Sequence, residues 1–445
     1  MESPRSAHVA PRDAAPPLLG ADAGLPVAWR GDGPIGRRHY LADVQAVAAQ
    51  LPDSRYIVNA CDDRYRFLVA FGAALTRSQT CLLPHNRTAH ALDQITRHHE
   101  GACTIGDNDV RLTDVPPPGA LEPPRIPRDH IAAIVFTSGS TGEPTPHAKC
   151  WGSLVEGAKL VRARYGVQPR PGTLLVATVA PQHMFGLEAS VMLPLTSGVT
   201  VHAGRPFFPA DLHAVLSGAP EYRVLVTTPY HLGVLLQSGL AWPRVELIIS
   251  ATAPMAQGLA ARAEAAFGAR VMEIFGSTES GAIASRRTAV EAEWTLYDGL
   301  HLRTVDSEHR VEGGHLPERI VLRDRLELSS QRTFTLLGRD EDLLKVGGKR
   351  CSLGDLNRAL GQIEGVVDGV FIAPETGDTG VERLTALVVA PGQSGADLLQ
   401  ALARVVDSAF LPRPLHLVES LPRNDTGKLA RKDLLELLAR LGGGA

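Results

Sequence analysis

Short apolar runs alternate with stretches of helical spacing along most of the chain. Residues 56–60, 80–84 and 131–136 are apolar runs of strand length and are partly β-branched. Between the first two runs, residues 65–76 repeat apolar side chains at every third or fourth position, which predicts a helix. Strands that alternate with helices usually build helix-flanked parallel sheets, so this part of the chain is expected to have an α/β fold.

The same patterns predict elements along the rest of the chain. The further predicted helices are residues 40–51, 87–100, 152–165, 187–195, 209–216, 230–238 and 257–267, and the further strands are residues 173–179, 199–202, 224–227, 247–250 and 270–274. Short alternating stretches at residues 300–305, 318–322 and 333–336 then predict an antiparallel subdomain. The last hundred residues predict a small α+β unit with helices 353–363, 396–410 and 432–441 and strands 369–373 and 384–389.

These patterns suggest an order of domains along the chain. Residues 1–35 contain many prolines among small residues and are expected to be loosely ordered. Residues 36–338 are predicted to form a large N-terminal domain of mostly parallel, helix-flanked sheets with the antiparallel subdomain. Dense charge and two adjacent glycines mark a boundary after residue 338, and residues 343–445 form the small C-terminal domain.

Composition narrows the class of protein. The 445 residues are 44% hydrophobic and 21% charged with a net charge of −3, which is ordinary for a globular protein with small molecules or proteins as partners and gives no reason to expect nucleic acid. Five scattered cysteines contain no C-x-x-C pair, so a disulfide framework or a zinc site is not expected. We find no signal-peptide pattern and no apolar run of membrane-spanning length, and therefore expect a cytoplasmic protein.

The stretch IAAIVFTSGSTGEPTPHAK carries the strongest chemical signal. A buried strand leads directly into a loop rich in glycine and hydroxyl groups, whose members are Thr137, Ser138, Gly139, Ser140, Thr141 and Gly142. Glycines let backbone N–H groups turn toward one point and the hydroxyls add donors, so the loop suits a polyphosphate, although a solvated turn is the alternative. It is not a Walker A loop, and Pro144 and Pro146 disfavour a helix directly after it.

Other candidate residues follow predicted strands. His183 and Phe185 come after strand 173–179, at the edge of an α/β sheet where ligands usually bind. Residues 250–254 and 275–279 are turns of small residues that would let a planar ring lie against the backbone. Near the end of the chain, Lys428 lies in a polar loop from which its side chain can reach outward.

Taken in order, these loops resemble the adenylate-forming superfamily of acyl-CoA synthetases, luciferase-like enzymes and nonribosomal adenylation domains. The resemblance covers about residues 56–437 and depends on TSGSTGEP, FGSTE, GR with a following K-x-GG, and a C-terminal TGK. The short N-terminal portion and TSGSTGEPTPHAK, which lacks the usual lysine directly after its first proline, resemble stand-alone aryl acid:acyl carrier protein ligases of xanthomonadin and aryl-polyene pigment clusters.

The resemblance implies ATP and Mg²⁺ as cofactors and assigns roles to individual residues. Residues 137–142 would hold the β and γ phosphates, Glu279 and Thr141 the Mg²⁺, and Thr278 the α-phosphate. Asp324 would accept the ribose hydroxyls, and Arg339 would contact ribose or phosphate. Lys428 would bridge the carboxylate and the α-phosphate. The further implied nucleotide contacts are Ala251, Thr252, Ala253, Glu273, Phe275, Gly276 and Ser277. Asp324 with Arg339 could instead be a surface ion pair, and Lys428 a solvated lysine.

The resemblance also implies two half-reactions and a mobile C-terminal domain. An acyl-adenylate forms first, and a thiol then displaces AMP after rotation about a hinge at residues 339–342, centred on Glu341. Gly347 and Gly348 would line the tunnel for phosphopantetheine. The acyl pocket would be lined by His183, Phe185, Gly186, Tyr230, Ala251, Gly276 and Gly281. His183 could alternatively be a satisfied core histidine.

Small residues at Ala251 and Gly276 suit a flat ring, and hydroxybenzoic acid is the expected substrate. The expected acceptor is an acyl carrier protein in pigment biosynthesis, and the protein is expected to be a monomer or homodimer. Two alternatives stay open: a ligase that uses free CoA, and a homologue without catalytic activity that acts as a binding partner. Intact Glu279, Asp324 and Lys428 argue against the second alternative.

Overall fold

The computed structural model describes most of the chain. The described residues are 15–20, 24–31, 33–84, 87–116, 118–138, 144–167, 172–306, 308–339, 343–346, 349–373, 384–424, 427 and 429–442. The chain divides into two compact units. The first contains Met1–Val226, Gly276–Ala282 and Gly314–Pro317, and the second contains Thr227–Phe275, Ile283–Gly313 and Glu318–Ala445.

Helices and strands alternate through the first half of the chain, as predicted. The helices are α1 (Arg37–Ala48), α2 (Arg64–Thr76), α3 (Ala89–His98), α4 (Trp151–Tyr165), α5 (Met184–Leu187), α6 (Leu193–Ser197), α7 (Pro209–Gly218), α8 (Pro229–Gln237), α9 (Gln257–Phe267), α10 (Leu353–Gly361), α11 (Gly395–Leu402) and α12 (Arg431–Gly442). A π-helical segment, Glu188–Met192, joins α5 to α6.

The strands of the first half are β1 (Ala28–Arg30), β2 (Gly33–Ile35), β3 (Tyr56–Asn59), β4 (Thr80–Leu83), β5 (Cys103–Ile105), β6 (Ile131–Ser138), β7 (Pro144–Cys150), β8 (Thr173–Ala177), β9 (Thr200–His202), β10 (Tyr222–Thr227), β11 (Leu247–Ser250) and β12 (Arg270–Ser277). Those of the second half are β13 (Gly281–Arg286), β14 (Trp294–Leu296), β15 (Leu300–Val305), β16 (Glu308–Gly313), β17 (Ile320–Leu322), β18 (Asp324–Leu328), β19 (Thr333–Arg339), β20 (Leu343–Val346), β21 (Lys349–Ser352), β22 (Asp368–Ile372), β23 (Thr385–Val389) and β24 (Leu415–Leu417).

The first unit contains the sheet that carries the hydroxyl-rich stretch. Its strand order is β5-β3-β4-β6-β7, in which the first four are parallel and β7 returns antiparallel to β6. Pro144 and Pro146 lie on β7, and an edge strand tolerates proline because one row of its N–H groups needs no partner. A strand, β7, begins at Pro144, which confirms the expectation that no helix follows the loop directly.

A second set of strands in the first unit has the order β10-β8-β9-β1-β2. The first four strands are parallel to their neighbours, and β2 is antiparallel to β1. Leu18 and Ala28 are fully buried, which corrects the expectation of a loosely ordered segment for the described part of residues 1–35. Apolar residues between the prolines are buried in the core, and β1 and β2 form a hairpin at the edge of the sheet. The high proline content gave no indication of this order.

The second unit combines one parallel pair with antiparallel strands. Strands β11 and β12 are parallel, and the order continues as β12-β13-β14-β19-β18 with antiparallel pairs β13–β14, β14–β19 and β18–β19. A separate antiparallel sheet has the order β15-β16-β17. The predicted α/β fold class, with mostly parallel sheets followed by antiparallel strands, is confirmed, whereas the domain boundaries stay a prediction.

The end of the second unit is a small α+β core. Strands β22, β23 and β24 form one sheet, and α10 and α11 pack on it through Leu360, Phe371 and Leu398. The predicted helix at residues 396–410 is too long, because α11 ends at Leu402 and a separate 3₁₀ turn, Ser408–Phe410, begins after Asp407. The Asp407 side chain caps that turn by accepting from the N–H of Ala409. None of the described helices combines the length and apolarity needed to cross a bilayer.

Candidate active site

The hairpin of β6 and β7 presents the hydroxyl-rich stretch. Thr137 lies half-buried near the end of β6, and its Oγ1 is 3.2 Å from Nε2 of His147 on β7. Alternation along β7 places His147 and Lys149 on the same side, and Lys149 is buried with 8% of its surface exposed. Ser138 ends β6. Gly139, Ser140, Thr141 and Gly142 lie outside the described residues.

Residues 277–282, called here the Glu279 turn, comprise the link between β12 and β13 together with the adjoining ends of both strands. The N–H of Ser277 donates to Oγ of Ser280 at 3.0 Å, and the N–H of Ser280 donates to Oγ of Ser277 at 3.2 Å. The side chain of Glu279 is 56% exposed, and its Oε1 lies 3.9 Å from Nε2 of His147. Burial alone would raise the pKa of Glu279, but a hydrogen bond from Ser277 and nearby positive charge outweigh it and lower this pKa. The carboxylate is therefore ionised and accessible.

Three buried side chains bind the backbone of the Glu279 turn, and the sequence patterns did not single them out. Nζ of Lys149 donates to the carbonyl of Glu279 at 2.6 Å. The Glu188 carboxylate accepts from the N–H of Ala282 at 3.1 and 3.2 Å. Nε2 of His315 is 2.9 Å from the carbonyl of Ser280.

Burial changes the protonation of these three groups. It raises the pKa of Glu188 to about 7, against the opposing effects of the Ala282 N–H and the Lys149 charge. Burial also lowers the pKa of Lys149 and that of His315. Since a neutral His315 facing a carbonyl must donate from Nε2, its Nδ1 is unprotonated, and Nδ1 has no hydrogen-bond partner among the described residues.

The predicted acyl-pocket residues after β8 form the start of a helix. His183 is the N-cap of α5, where its Nδ1 accepts from the N–H of Phe185 at 3.3 Å. Phe185 is buried with 6% exposed. Gly186 cannot carry a side chain, because a Cβ there would lie 1.9 Å from the carbonyl oxygen of Ala180.

Glycine is also required directly before the Glu279 turn and within it. A Cβ on Gly276 would lie 2.1 Å from the carbonyl oxygen of Gly281. Gly281 has φ +67° and its Cβ would lie 2.4 Å from Oε1 of Glu188. Thr278 lies half-buried between these two glycines. The predicted residues 276–281 are thus brought together by a tight backbone.

The predicted nucleotide contacts after β11 belong to the second unit. Ala251 is buried and Ala253 is half-buried. Thr252 adopts φ +85°, a left-handed conformation that is a genuine outlier for a β-branched residue. Such conformations cluster at ligand-binding sites. Tyr230 lies in the first turn of α8 with 40% of its surface exposed.

Two of the predicted nucleotide contacts have structural partners inside the second unit. The buried Glu273 carboxylate accepts from the N–H of Met255 at 2.8 Å, from Arg286 at 2.9 Å and from Thr288 at 2.6 Å. These partners bind both oxygens and give Glu273 a structural role in the second unit, and a contact of Glu273 with the nucleotide stays a prediction. The ring of Phe275 packs on aromatic rings, with centroids 5.5 Å from Trp294 and 5.4 Å from Phe334.

Asp324 and Arg339 are brought together as cross-strand partners. They face each other across the antiparallel pair β18–β19. Asp324 is half-buried and takes part in further interactions. Gly338, beside Arg339, has φ +111°, which favours glycine at that position.

The loop before α12 is held by Arg423. Its guanidinium donates to the Asp368 carboxylate at 2.7 and 2.6 Å and to the carbonyl of Gly427 at 2.5 Å. The guanidinium carbon lies 5.0 Å from the centre of the Tyr230 ring. Lys428, Glu341, Gly347 and Gly348 lie outside the described residues. In the described part of the chain, no group of three or more metal-ligating side chains is found.

Comparisons with known proteins identify the family of the chain. The family model "AMP-binding enzyme" matches residues 48–307. The 4-coumarate--CoA ligase of Rhodobacter capsulatus is 30% identical over 306 residues, covering 68% of this chain and 76% of the relative. The 3-hydroxybenzoate--CoA/4-hydroxybenzoate--CoA ligase of Thauera aromatica is 24% identical over 362 residues, covering 72% and 68%.

A solved structure has the same fold. ATP-bound MatB from Rhodopseudomonas palustris superposes with a TM-score of 0.78 at 20% identity, covering 95% of this chain and 96% of that one. The fold and the match to the family model define the class of protein: the chain belongs to the AMP-binding enzyme family.

Proposed function

We propose that the protein is an ATP-dependent acid–thiol ligase of the cytoplasm. In the first half-reaction, a carboxylate oxygen attacks the α-phosphate of ATP, forming an acyl-adenylate while pyrophosphate leaves. In the second, a thiol sulfur attacks the acyl carbon and AMP leaves. The observation that carries this proposal is the exposed, ionised Glu279 carboxylate in a turn beside the hairpin of the hydroxyl-rich loop.

Glu279 fits a magnesium ion that arrives with ATP. Its exposed carboxylate keeps room for a ligand, since Lys149 binds its backbone carbonyl. Mg²⁺ commonly takes one or two protein carboxylates and completes its shell with phosphates and water, so a three-residue cage is not needed. When bound, the ion would neutralise charge that develops on the phosphates.

The chain's own residues would then orient the nucleotide. Thr137 and the following loop would contribute N–H and hydroxyl donors to the phosphates, with Thr278 contacting the α-phosphate. Asp324 would accept from the ribose hydroxyls, with Arg339 as its cross-strand neighbour. The strained backbone at Thr252 supports a ligand-binding role for the turn after β11.

Lys428 is proposed as the cationic group of the first transition state. It would contact the attacking carboxylate and the α-phosphate as negative charge increases there, and removal of one such donor costs about 3–4 kcal/mol. Arg423 supports this proposal because it fixes the backbone of Gly427 directly before Lys428.

A hydroxybenzoic acid is the proposed substrate. Small residues at Ala251 and Gly276 would suit a flat ring, and His183 and Tyr230 would offer polar atoms to a ring hydroxyl. The relatives named above are described as ligases of 4-coumarate and hydroxybenzoates, which are hydroxylated aromatic acids. A pocket that hydrogen-bonds a hydroxyl rejects the ring without it, because buried polar groups lose their partner.

The proposed acceptor is the phosphopantetheine thiol of an acyl carrier protein in a pigment pathway. The variant TSGSTGEPTPHAK supports this proposal through its resemblance to the aryl acid:carrier protein ligases. Free CoA is the second candidate acceptor, because the relatives are named CoA ligases.

The test compares acids first and thiols second. Pyrophosphate release should be measured with hydroxybenzoates, benzoate, cinnamates, octanoate and amino acids, and we expect a hydroxybenzoate to give the highest kcat/KM. Octanoate or an amino acid above every aryl acid would contradict the substrate. Thioester formation with holo carrier protein and with CoA, assayed side by side, then identifies the acceptor, and a clear preference for CoA would contradict the carrier protein.

A further inference from the structure

The Glu279 turn already closes itself, yet three external groups also bind it. Ser277 and Ser280 exchange hydrogen bonds within the turn. Lys149, Glu188 and His315 bind backbone groups of residues 279, 282 and 280, respectively. These three side chains come from β7, from the π-helical segment and from the connection between β16 and β17.

All three external groups are almost completely buried. The exposed fractions are 8% for Lys149, 8% for Glu188 and 6% for His315. Burial of ionisable groups is costly unless each finds a partner, so their retention around one turn indicates a specific requirement. Each partner is a backbone group, so these three side chains fix the path of the chain without binding the Glu279 carboxylate.

Neighbouring positions are shaped to admit these contacts. Gly281 leaves the space that Glu188 needs, since a Cβ there would lie 2.4 Å from Oε1. The carbonyl of His315 accepts from Oγ of Ser153 on α4 at 2.6 Å, which anchors this histidine to the helix. The turn is thus bound to β7, to α4 through His315, and to the π-helical segment.

We propose that Lys149, Glu188 and His315 form a backbone clamp that fixes the Glu279 turn and thereby aims the Glu279 carboxylate at the metal-bound phosphates. They are positioning residues. The clamp itself follows from the contacts of the turn, and only the binding of metal and phosphates by Glu279 rests on the proposed function. Without the clamp, the turn keeps its internal serine bonds but samples several orientations. Binding of Mg²⁺ and ATP then becomes weaker, whereas the carboxylic acid is bound as before.

The first experiment measures the turn itself, without ATP or metal. Hydrogen–deuterium exchange should be compared among wild type, Lys149→Met and His315→Leu. We expect amides 277–282 to exchange at least tenfold faster in both variants, with the strands of the β6 sheet unchanged. His315→Gln, whose amide can donate to the same carbonyl, should restore protection. Lys159→Met on α4 is the matched control, because Lys159 is an exposed lysine.

The second experiment measures the Mg²⁺ requirement. Removal of a group that orients a metal ligand commonly costs 10–100-fold in metal affinity. Lys149→Met and His315→Leu should therefore raise the half-saturating Mg²⁺ concentration about tenfold or more, with the KM of the carboxylic acid changed less than twofold. Should one of these variants not fold, the other suffices, because each removes a separate contact.

The outcomes separate the clamp from the proposed function. Unchanged exchange of amides 277–282 in a folded variant overturns the clamp. Faster exchange with an unchanged half-saturating Mg²⁺ concentration also overturns it, provided that Glu279→Gln abolishes Mg²⁺-dependent pyrophosphate release. If Glu279→Gln itself keeps normal Mg²⁺-dependent pyrophosphate release, the role assigned to Glu279 is wrong, and the aiming role of the clamp is wrong with it. Faster exchange together with a raised Mg²⁺ requirement supports the clamp.

Discussion

Two glutamates six residues apart have opposite environments. Glu273 on β12 is 2% exposed and has backbone, guanidinium and hydroxyl partners. The side chain of Glu279 is 56% exposed, and its carbonyl, not its carboxylate, is bound by Lys149. The first arrangement stabilises a fold, while the second leaves a carboxylate ready for a ligand. The family resemblance marked both as candidates, because a sequence does not show how many partners a side chain has.

We therefore predict that Glu279→Gln abolishes Mg²⁺-dependent pyrophosphate release with an unchanged Tm. The amide keeps the shape of the side chain but is a poor ligand for a hard cation. Glu273→Gln is the matched variant and should lower the free energy of unfolding by about 1–3 kcal/mol, because charge-assisted hydrogen bonds are lost in a buried place. A Glu279→Gln enzyme with normal turnover and a lowered Tm would remove Glu279 from the site.

Glu188 should make stability depend on pH. Its pKa rises from 4.5 to about 7 on folding, so the folded state binds the proton more tightly. This protonated state favours folding at acidic pH, and the contribution is lost as pH increases from about 4.5 to 7, by roughly 3 kcal/mol. Glu188→Gln cannot titrate. Its stability relative to wild type should therefore rise across this window, as measured by urea unfolding at several pH values, and a constant difference would contradict the assignment.

At the scale of elements, helices and strands with a clear apolar pattern were predictable, whereas a strand with a polar, proline-containing sequence was not. The predicted ranges coincide with α9 and β15 and overlap α4 and β6 closely. Strand β7 was not predicted, because two prolines argue against a strand until its edge position is known. Likewise, Glu188 occurs in an apolar helical run and His315 between strands, so only the folded backbone shows that both bind one turn.

The loop before α12 depends on one arginine. The side chain of Asp368 is 15% exposed, and its carboxylate accepts two hydrogen bonds from Arg423. Arg423→Met removes this bidentate partner. We predict a loss of about 2 kcal/mol in the free energy of unfolding, since breaking a largely buried ion pair leaves the remaining charge without its counter-charge. Arg358→Met is the control, because the Arg358–Asp355 pair is exposed and should change stability by less than about 0.5 kcal/mol. Equal losses in both variants would show that Arg423 makes no special contribution.

At the scale of the whole molecule, the sequence predicted the fold class, whereas the grouping of segments needed the structure. Residues 276–282 and 314–317 pack with the first unit although the chain on either side belongs to the second. Such grouping depends on contacts between distant segments, for which hydrophobic periodicity carries no signal. The predicted boundaries at residues 338 and 343 follow chain order and stay a prediction.

The proposed function requires one molecule to run two half-reactions with different groups. In the first, negative charge increases between the carboxylate and the α-phosphate, where Lys428 is proposed to act. In the second, the adenylate already exists and AMP leaves, so that cation is no longer required at the reacting atoms. Loss of Lys428 should therefore affect the two half-reactions unequally.

We predict that Lys428→Ala lowers the rate of adenylate formation by about two to three orders of magnitude, as expected when one transition-state donor is lost. ATP affinity and thioester formation from separately prepared acyl-adenylate should change much less. Single-turnover assays of each half-reaction measure this split, and Lys432→Ala on α12, an exposed lysine four residues along, is the control. An equal loss in both half-reactions would mean that Lys428 supports the enzyme as a whole and would contradict its assignment to the first transition state.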